Sequence, residues 1–311
     1  MSSKRSDNSV LIVGSVALDS VRTPSGVVER ALGGAAVYSS VAASFFSPVR
    51  IVGVVGEDFP KEHLDFLASR GIDTRGVQVT PGKTFHWKGS YEGDMNSAQT
   101  LATELNVFRD FKPSLPEDYR SSGFVFLANI DPVLQLDVLD QVTGPKLVAC
   151  DTMNFWISTK KDVLLEVLKR VDIVFINDAE VRQLTGIVNV TRAAATIHEL
   201  GPEYVIVKKG EHGAVAYCGN GACFAAASYP LAEVADPTGA GDSFAGGFMG
   251  YMAKRGELSE ANIRKAVVYG SALASFNVQD FSLNRFKRLT IQEIDGRYEE
   301  FKHIMFFEPM A

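Results

Sequence analysis

Cysteine is scarce: Cys150, Cys218 and Cys223 are the three in a chain of 311, and no two form a Cys-x-x-Cys pair. An odd, sparse count in a chain this long argues against a disulfide-built scaffold and for reduced thiols. Cys150 closes the run Lys146-Leu147-Val148-Ala149, where burial as a small hydrophobe is its expected role. The five histidines show neither HExxH nor another ligand spacing, so no zinc centre is expected. No apolar run reaches the roughly 18 residues that span a bilayer, so no membrane association is expected. The polar start lacks the apolar stretch and cleavage site of a secretory signal. Residues 1–8 read as a frayed tail, and the expected location is cytoplasmic. A basic excess is missing too. The net charge of −6 and pI near 5.5 offer no basic face to nucleic acid. Repeats, low-complexity tracts and Pro/Gly/Ser linkers are absent, so a single domain over 1–311 is expected.

What is present is a series of short apolar runs at 10–13, 49–55, 123–128, 146–150, 171–176 and 204–207. They are apolar at successive positions, as strands covered on both faces are. Helical patterns at 35–46, 61–70, 134–141, 161–169 and 192–200 fall between most of them. Thr191, within a sequon-like Asn189-Val190-Thr191, reads as the N-cap of the last. Strand–helix alternation predicts an α/β fold: a mainly parallel sheet between two helical layers. Segments 17–33 and 82–108 break the rhythm with short strands of mixed polarity, and predict a small separate β-sheet, a lid over a cleft.

The densest chemistry lies in Asp236-Pro237-Thr238-Gly239-Ala240-Gly241-Asp242. Pro237 pushes Asp236 towards extended backbone, and the two glycines permit a tight turn. Phe244, Phe248 and Met252 recur at helical spacing, so a helix begins near Ala240. Its first amides lack intrahelical partners and sit at the positive end of the helix dipole, which makes an anion site. A carboxylate in the first turn, Asp242, stabilises a helix in any case; beside an anion site it can also take the proton of an attacking hydroxyl. Gly246, Gly247 and Gly250 in the same helix each cost about 1 kcal/mol against Ala, a cost that close packing would explain.

This segment resembles the C-terminal signature of the ribokinase (PfkB-type) family of carbohydrate and nucleoside kinases, whose core reads D-T-x-G-A-G-D. The resemblance implies a ribokinase-like three-layer α/β/α core, Asp242 as catalytic base, and Gly239, Ala240 and Gly241 as the anion hole for the γ-phosphate of ATP. Asn177 and Glu180 match an N-x-x-E motif that helps hold Mg2+ and phosphate, partly through water; they also suit a helix cap. Gly33-Gly34 matches a glycine pair close to the substrate, and Asp19 an Asp that binds substrate hydroxyls. Lys209, Gly210 and Gly213 resemble the nucleotide-binding turn, although the lysines there also suit solvent. Asn154 and Thr238 are further implied nucleotide contacts, and Asn129 a substrate contact. Asp236 and Thr238 could supply ligands to a monovalent cation such as K+. Ala17 and Tyr38 replace two residues that would recognise ribose, and the segment 275–285 lacks the glycine of the cation loop.

Two decoys fail. Gly82-Lys83-Thr84 resembles the end of a Walker A loop, but Val77 stands where its first glycine belongs. Gly239-x-Gly241 begins a dinucleotide fingerprint whose third glycine position is Phe244. The partner expected is a small molecule: a sugar or polyol bearing a primary hydroxyl, with a nucleoside as the alternative. Phe85, His86, Trp87 and Tyr91 could stack on a base or sugar, and Asn106 and Asp131 could reach the acceptor. A non-catalytic sensor on the same fold is the rival of a different class. Open lid edges would allow a homodimer.

Overall fold

Strands apolar on both faces need cover on both sides, and that demand shapes the chain. The computed structural model describes residues 7–93, 95–219 and 223–308. Its strands are β1 Val10–Val13, β2 Ala17–Thr23, β3 Gly26–Gly33, β4 Val49–Gly56, β5 Ile72–Thr80, β6 Phe85–Tyr91, β7 Ala98–Glu104, β8 Phe124–Leu127, β9 Leu147–Asp151, β10 Ile173–Asn177, β11 Tyr204–Lys208, β12 Ala214–Cys218 and β13 Cys223–Ala226. Its α-helices are α1 Ala35–Ala43, α2 Lys61–Ser69, α3 Pro132–Leu139, α4 Asn154–Thr159, α5 Lys161–Leu168, α6 Asp178–Thr185, α7 Val190–His198, α8 Ala240–Arg255, α9 Glu260–Asn277, α10 Asn284–Arg288 and α11 Ile291–Ile304.

The large sheet runs β13-β12-β11-β10-β9-β8-β1-β4-β5. Its strands from β11 through β5 are mutually parallel, and β12 is antiparallel to both its neighbours. The chain travels outward from β1 through β4 to β5, then returns to β8 on the other side of β1. The strand order therefore reverses between β1 and β8, the place where open α/β sheets bind ligands at their C-terminal edges.

Alternate side chains divide the core in two. Val10, Ile12, Phe124, Phe126, Ile173, Phe175 and Ile206 face the layer containing α1, α8 and α9. Leu11, Val13, Val125, Leu127, Val174, Ile176 and Val207 face α3, α5, α6 and α7. Cys150 lies buried in the second core and Cys218 buried in the first. The smaller sheet, β3-β2-β6-β7, is built from the two irregular segments, with β2 and β6 parallel and both outer pairs antiparallel.

Several local expectations need correction. Strand β5 and the β12–β13 hairpin had no counterpart in the apolar runs: β5 carries Asp73, Thr74, Arg75 and Gln78 among its apolar residues, and β12 is a short edge-side strand that alternates buried with half-buried positions. Helix α7 is capped by Asn189, which accepts the Arg192 amide at 3.0 Å, so Thr191 lies inside the helix. Residues 1–6 of the expected tail lie outside the described residues. Asp7 is held by Arg50 at 2.7 Å and Asn8 by Lys146 at 2.8 Å, so those two positions are anchored. No described helix is long and apolar enough to cross a membrane.

Candidate active site

The strand pleat delivers three polar side chains to one place. In β9 the residues facing α8 are Leu147, Ala149 and then Asp151; in β10, Ile173, Phe175 and then Asn177; in β11, Tyr204, Ile206 and then Lys208. Each strand thus ends with a polar group on the face that α8 covers. Asp151 pairs in register with Phe175, and Asn177 with Lys208.

Helix α8 enters this edge through Gly239, whose φ of 76° is left-handed. A Cβ there would lie 2.4–2.5 Å from the ring carbons of Tyr38, so only glycine lets that ring lie against the turn. Two buried groups brace the turn. Asp236 Oδ1 accepts the Thr238 amide at 2.9 Å, and the Asn277 amide donates to the Thr238 carbonyl at 2.7 Å. Asn277 also accepts from the Ser243 hydroxyl at 3.1 Å, which ties α9 to the first turn of α8. The Ala240 amide donates to the Pro237 carbonyl at 3.1 Å and closes the turn. The Ala240 amide, expected as part of an anion hole, thus has an internal acceptor in this structure. Among the described residues the amides of Gly239, Gly241 and Asp242 have no acceptor, and these are the donors left for a ligand.

Asp242 is partly exposed at the mouth of this turn. Desolvation, reinforced by the Asp151 carboxylate and opposed by Lys208, pushes its pKa up to about 7. Lys208 reaches the same spot from β11, with its Nζ 2.6 Å from Asp151 Oδ2. Burial works against its charge, but the Asp151 and Glu180 carboxylates outweigh it and hold its pKa above the usual lysine value. Asn177 and Glu180 form a reciprocal capping box on α6: Asn177 Oδ1 accepts the Glu180 amide at 2.8 Å, and Glu180 Oε2 accepts the Asn177 amide at 2.9 Å. Burial raises the Glu180 pKa to about 7.

Across the mouth, Asp19 of β2 is 6% exposed, and its Oδ2 accepts the Gly34 amide at 3.3 Å. A side chain at Gly33 would put its Cβ 1.9 Å from that oxygen. Burial first, then the Asp236 and Asp242 charges, raise the Asp19 pKa to about 7 against the pull of the Gly34 amide. Tyr38 stands among Asp19, Asp236 and Asp242, and the Thr238 hydroxyl donates to the Tyr91 oxygen at 3.4 Å. A carboxylate of raised pKa, a set of unpartnered amides, a mostly buried ammonium and a second carboxylate thus share one mouth. The arrangement suits transfer of an anionic group to a hydroxyl.

A model of the pfkB family of carbohydrate kinases matches residues 7–287. The chain belongs to that family. This pfkB-family chain is 34% identical to the cytidine kinase of Thermococcus kodakarensis over 261 residues, which cover 82% of this chain and 92% of the relative. Its fold matches the nucleoside kinase of Methanocaldococcus jannaschii with a TM-score of 0.75 at 22% identity, over 94% of this chain and 98% of that one. It also matches an E. coli protein termed ribokinase II, solved with ATP and Mg2+, with a TM-score of 0.76 at 22% identity, over 94% and 99% of the two chains. The three-layer α/β/α core with a small accessory sheet is thus the ribokinase fold.

The remaining sequence candidates of this pfkB-family chain are placed variously. Lys209 follows the end of β11 and opens the 210–212 turn, its amide donating to the Gly213 carbonyl at 2.8 Å, while Lys208 reaches the Asp151 carboxylate. The turn holding Gly210 and Gly213 is touched by the β6–β7 connection, where the Asn96 side-chain amide donates to Glu211 at 3.3 Å. Asn129 accepts from the Trp156 indole at 3.0 Å. Asp131 caps α3 through the Val133 amide and pairs with Lys160 at 2.5 Å. Asn154 opens α4, and its side chain makes no hydrogen bond among the described residues. Asn106 donates to the Thr84 carbonyl at 2.9 Å.

Of the four aromatic candidates, His86 lies on the far face of β6, hydrogen-bonded to Ser20 at 2.9 Å. Phe85 stacks on Phe108 at 5.4 Å as part of a small core. Trp87 pairs in register with Asp19 and so shares its face of the sheet. Sequence reasoning met Lys208 only as the first residue of the stretch resembling the nucleotide-binding turn, gave it no role of its own, and passed over Asp151 and Asn277. Strand parity could have singled out the first two; Asn277 carries no local signal, since only the packing of α9 on α8 brings it to the turn.

Proposed function

We propose that this chain transfers the γ-phosphoryl group of ATP to the primary hydroxyl of a nucleoside, with Asp242 as general base. The observation carrying this reading is the partly exposed Asp242 carboxylate, its pKa raised to about 7, set beside unpartnered amides and a buried lysine. The amides of Gly239, Gly241 and Asp242 would receive the phosphoryl oxygens, and Asp19 would hold acceptor hydroxyls. Gly210 and Gly213, with Lys209, Thr238 and Asn154 as lesser contacts, would border the nucleotide. Among the described residues no group of three or more His, Cys, Asp or Glu is arranged to hold a metal. An ion that arrives with the nucleotide phosphates and keeps most of its waters, as Mg2+ does, fits that donor set. Glu180 has one oxygen in the capping box and the other free to meet such an ion through water, and Asn177 orients it. Bound Mg2+ would neutralise charge on the phosphate oxygens.

A nucleoside is favoured over a sugar because the cytidine kinase of Thermococcus kodakarensis is similar over 92% of its own length. Trp87 on the Asp19 face, with the half-buried Tyr91 at the mouth, offers aromatic surface for a base. A sugar or polyol remains the second reading, supported by the family's carbohydrate kinases and by Asp19. In this reading the whole chain works as one domain, with the smaller sheet as a lid that excludes water, and Asp236 with Thr238 would cradle a monovalent cation if one is needed.

ADP release measured over a panel of nucleosides, sugars and polyols tests the assignment. Turnover with a nucleoside is expected, and Asp242→Asn should lower kcat at least about a hundredfold with acceptor affinity kept. Tight ligand binding without turnover on any acceptor would favour a sensor instead.

A further inference from the structure

A lysine ammonium has three N–H donors, and a buried one left unused is costly. Lys208 keeps 18% of its side chain exposed and gives one donor to Asp151 Oδ2 at 2.6 Å; among the described residues its other two donors have no acceptor. Its position is specific. A Cβ on Gly241 would lie 3.2 Å from Nζ, so the charge hangs over the first turn of α8, where the Gly241 and Asp242 amides are also unpartnered. Three carboxylates act on it, Asp151 from β9, Glu180 from α6 and Asp242 from α8, and its register partners in β10 and β12, Asn177 and Ala214, carry no charge. Asp151 itself is fixed, with its side chain 4% exposed and its Oδ1 accepting the Thr152 amide at 2.8 Å. A charge paired only for stability has no need of a glycine beneath it or of two idle donors facing a mouth.

We propose that Lys208 is a catalytic residue, donating its two unused N–H groups to the phosphoryl group in transfer, and that Asp151 is the positioning residue that holds it over Gly241. The inference rests on the kinase reading above. As the acceptor oxygen bonds to the γ-phosphorus, the bond to the β–γ bridging oxygen breaks and its electron pair leaves with ADP. Asp242 takes the acceptor's proton. Lys208 keeps all its protons and offsets the negative charge on the γ-phosphoryl oxygens throughout. A γ-phosphoryl group is present in ATP and absent from ADP, so the lysine separates the two nucleotides.

The test compares wild type, Lys208→Met, Lys208→Arg and Asp151→Asn by titration with ADP and with the non-hydrolysable AMP-PNP, and by steady-state ADP release. Lys208→Met should lose about a hundredfold in kcat, weaken AMP-PNP binding about tenfold or more, and leave ADP and acceptor affinity within a few-fold. Lys208→Arg should recover part of kcat, and Asp151→Asn should fall between it and Lys208→Met. An unchanged ratio of AMP-PNP to ADP affinity in Lys208→Met, with kcat near normal or a lowered melting temperature alone, overturns the proposal. If Lys208→Met does not fold, wild-type kcat in both Lys208→Arg and Asp151→Asn overturns it equally. A wild-type chain that binds neither nucleotide would refute the kinase reading itself, a result distinct from either.

Discussion

Asp242 and Asp19 face each other across the mouth, and burial raises both pKa values to about 7. As the proposed base, Asp242 would work only as a carboxylate, so kcat/KM should climb with pH through about 7 and level off above it. A pH–rate profile checks this, and the limb should persist in Asp19→Asn, which loses acceptor affinity but keeps the base. A profile flat from pH 5 to 8 would remove Asp242 from the role. At this scale the sequence was informative where a residue type is unusual for its place. Asp242 is legible because a carboxylate beside a glycine-lined helix start has a chemical meaning. Lys208 and Lys209 are indistinguishable as letters, and only the structure shows that β11 ends on Lys208, paired with Asp151, while Lys209 opens the following turn.

Helix α8 carries glycines because it is wedged between two others. A Cβ on Gly246 would stand 2.2 Å from the Ser39 carbonyl of α1, and one on Gly250 would stand 2.6 Å from that of Ala43. The sequence anticipated close packing but not the partner. Gly246→Ala should cost about 1–3 kcal/mol and lower kcat as well, since α1 and α8 must part and the turn at Gly239 moves with them. A Cβ on Gly296 of α11 would meet nothing within 4 Å, so Gly296→Ala should stabilise by about 1 kcal/mol with activity unchanged. Chemical denaturation of both variants, with activity alongside, distinguishes packing from propensity. Gly246→Ala as stable as wild type would contradict the wedge.

At the scale of the whole molecule, the smaller sheet stands beside the mouth with β3 and β7 as open edges. Leu101 on β7 is 49% exposed and Val27 on β3 is 61% exposed. Edges of this kind are usually covered or blunted, and pairing between two copies would cover them. Light scattering should therefore give about twice the 33.8 kDa of one chain. A monomer mass at micromolar concentration would leave the edges to other protection.

The strand–helix alternation of the parallel core, the presence of a second small sheet, the helix start at Ala240 and the candidacy of Asp242 as base were readable from the chain, whereas β5 and the β12–β13 hairpin were not. Each depends on periodicity or on residues adjacent in sequence. Tertiary structure decided the rest: the Lys208–Asp151 pair, the Asn277 brace, the Tyr38 ring on Gly239, and the commitment of Asn106, Asn129 and Asp131 to local partners. Those contacts join residues tens to hundreds of positions apart. The free energy of each depends on burial and distance, which no run of neighbouring letters encodes.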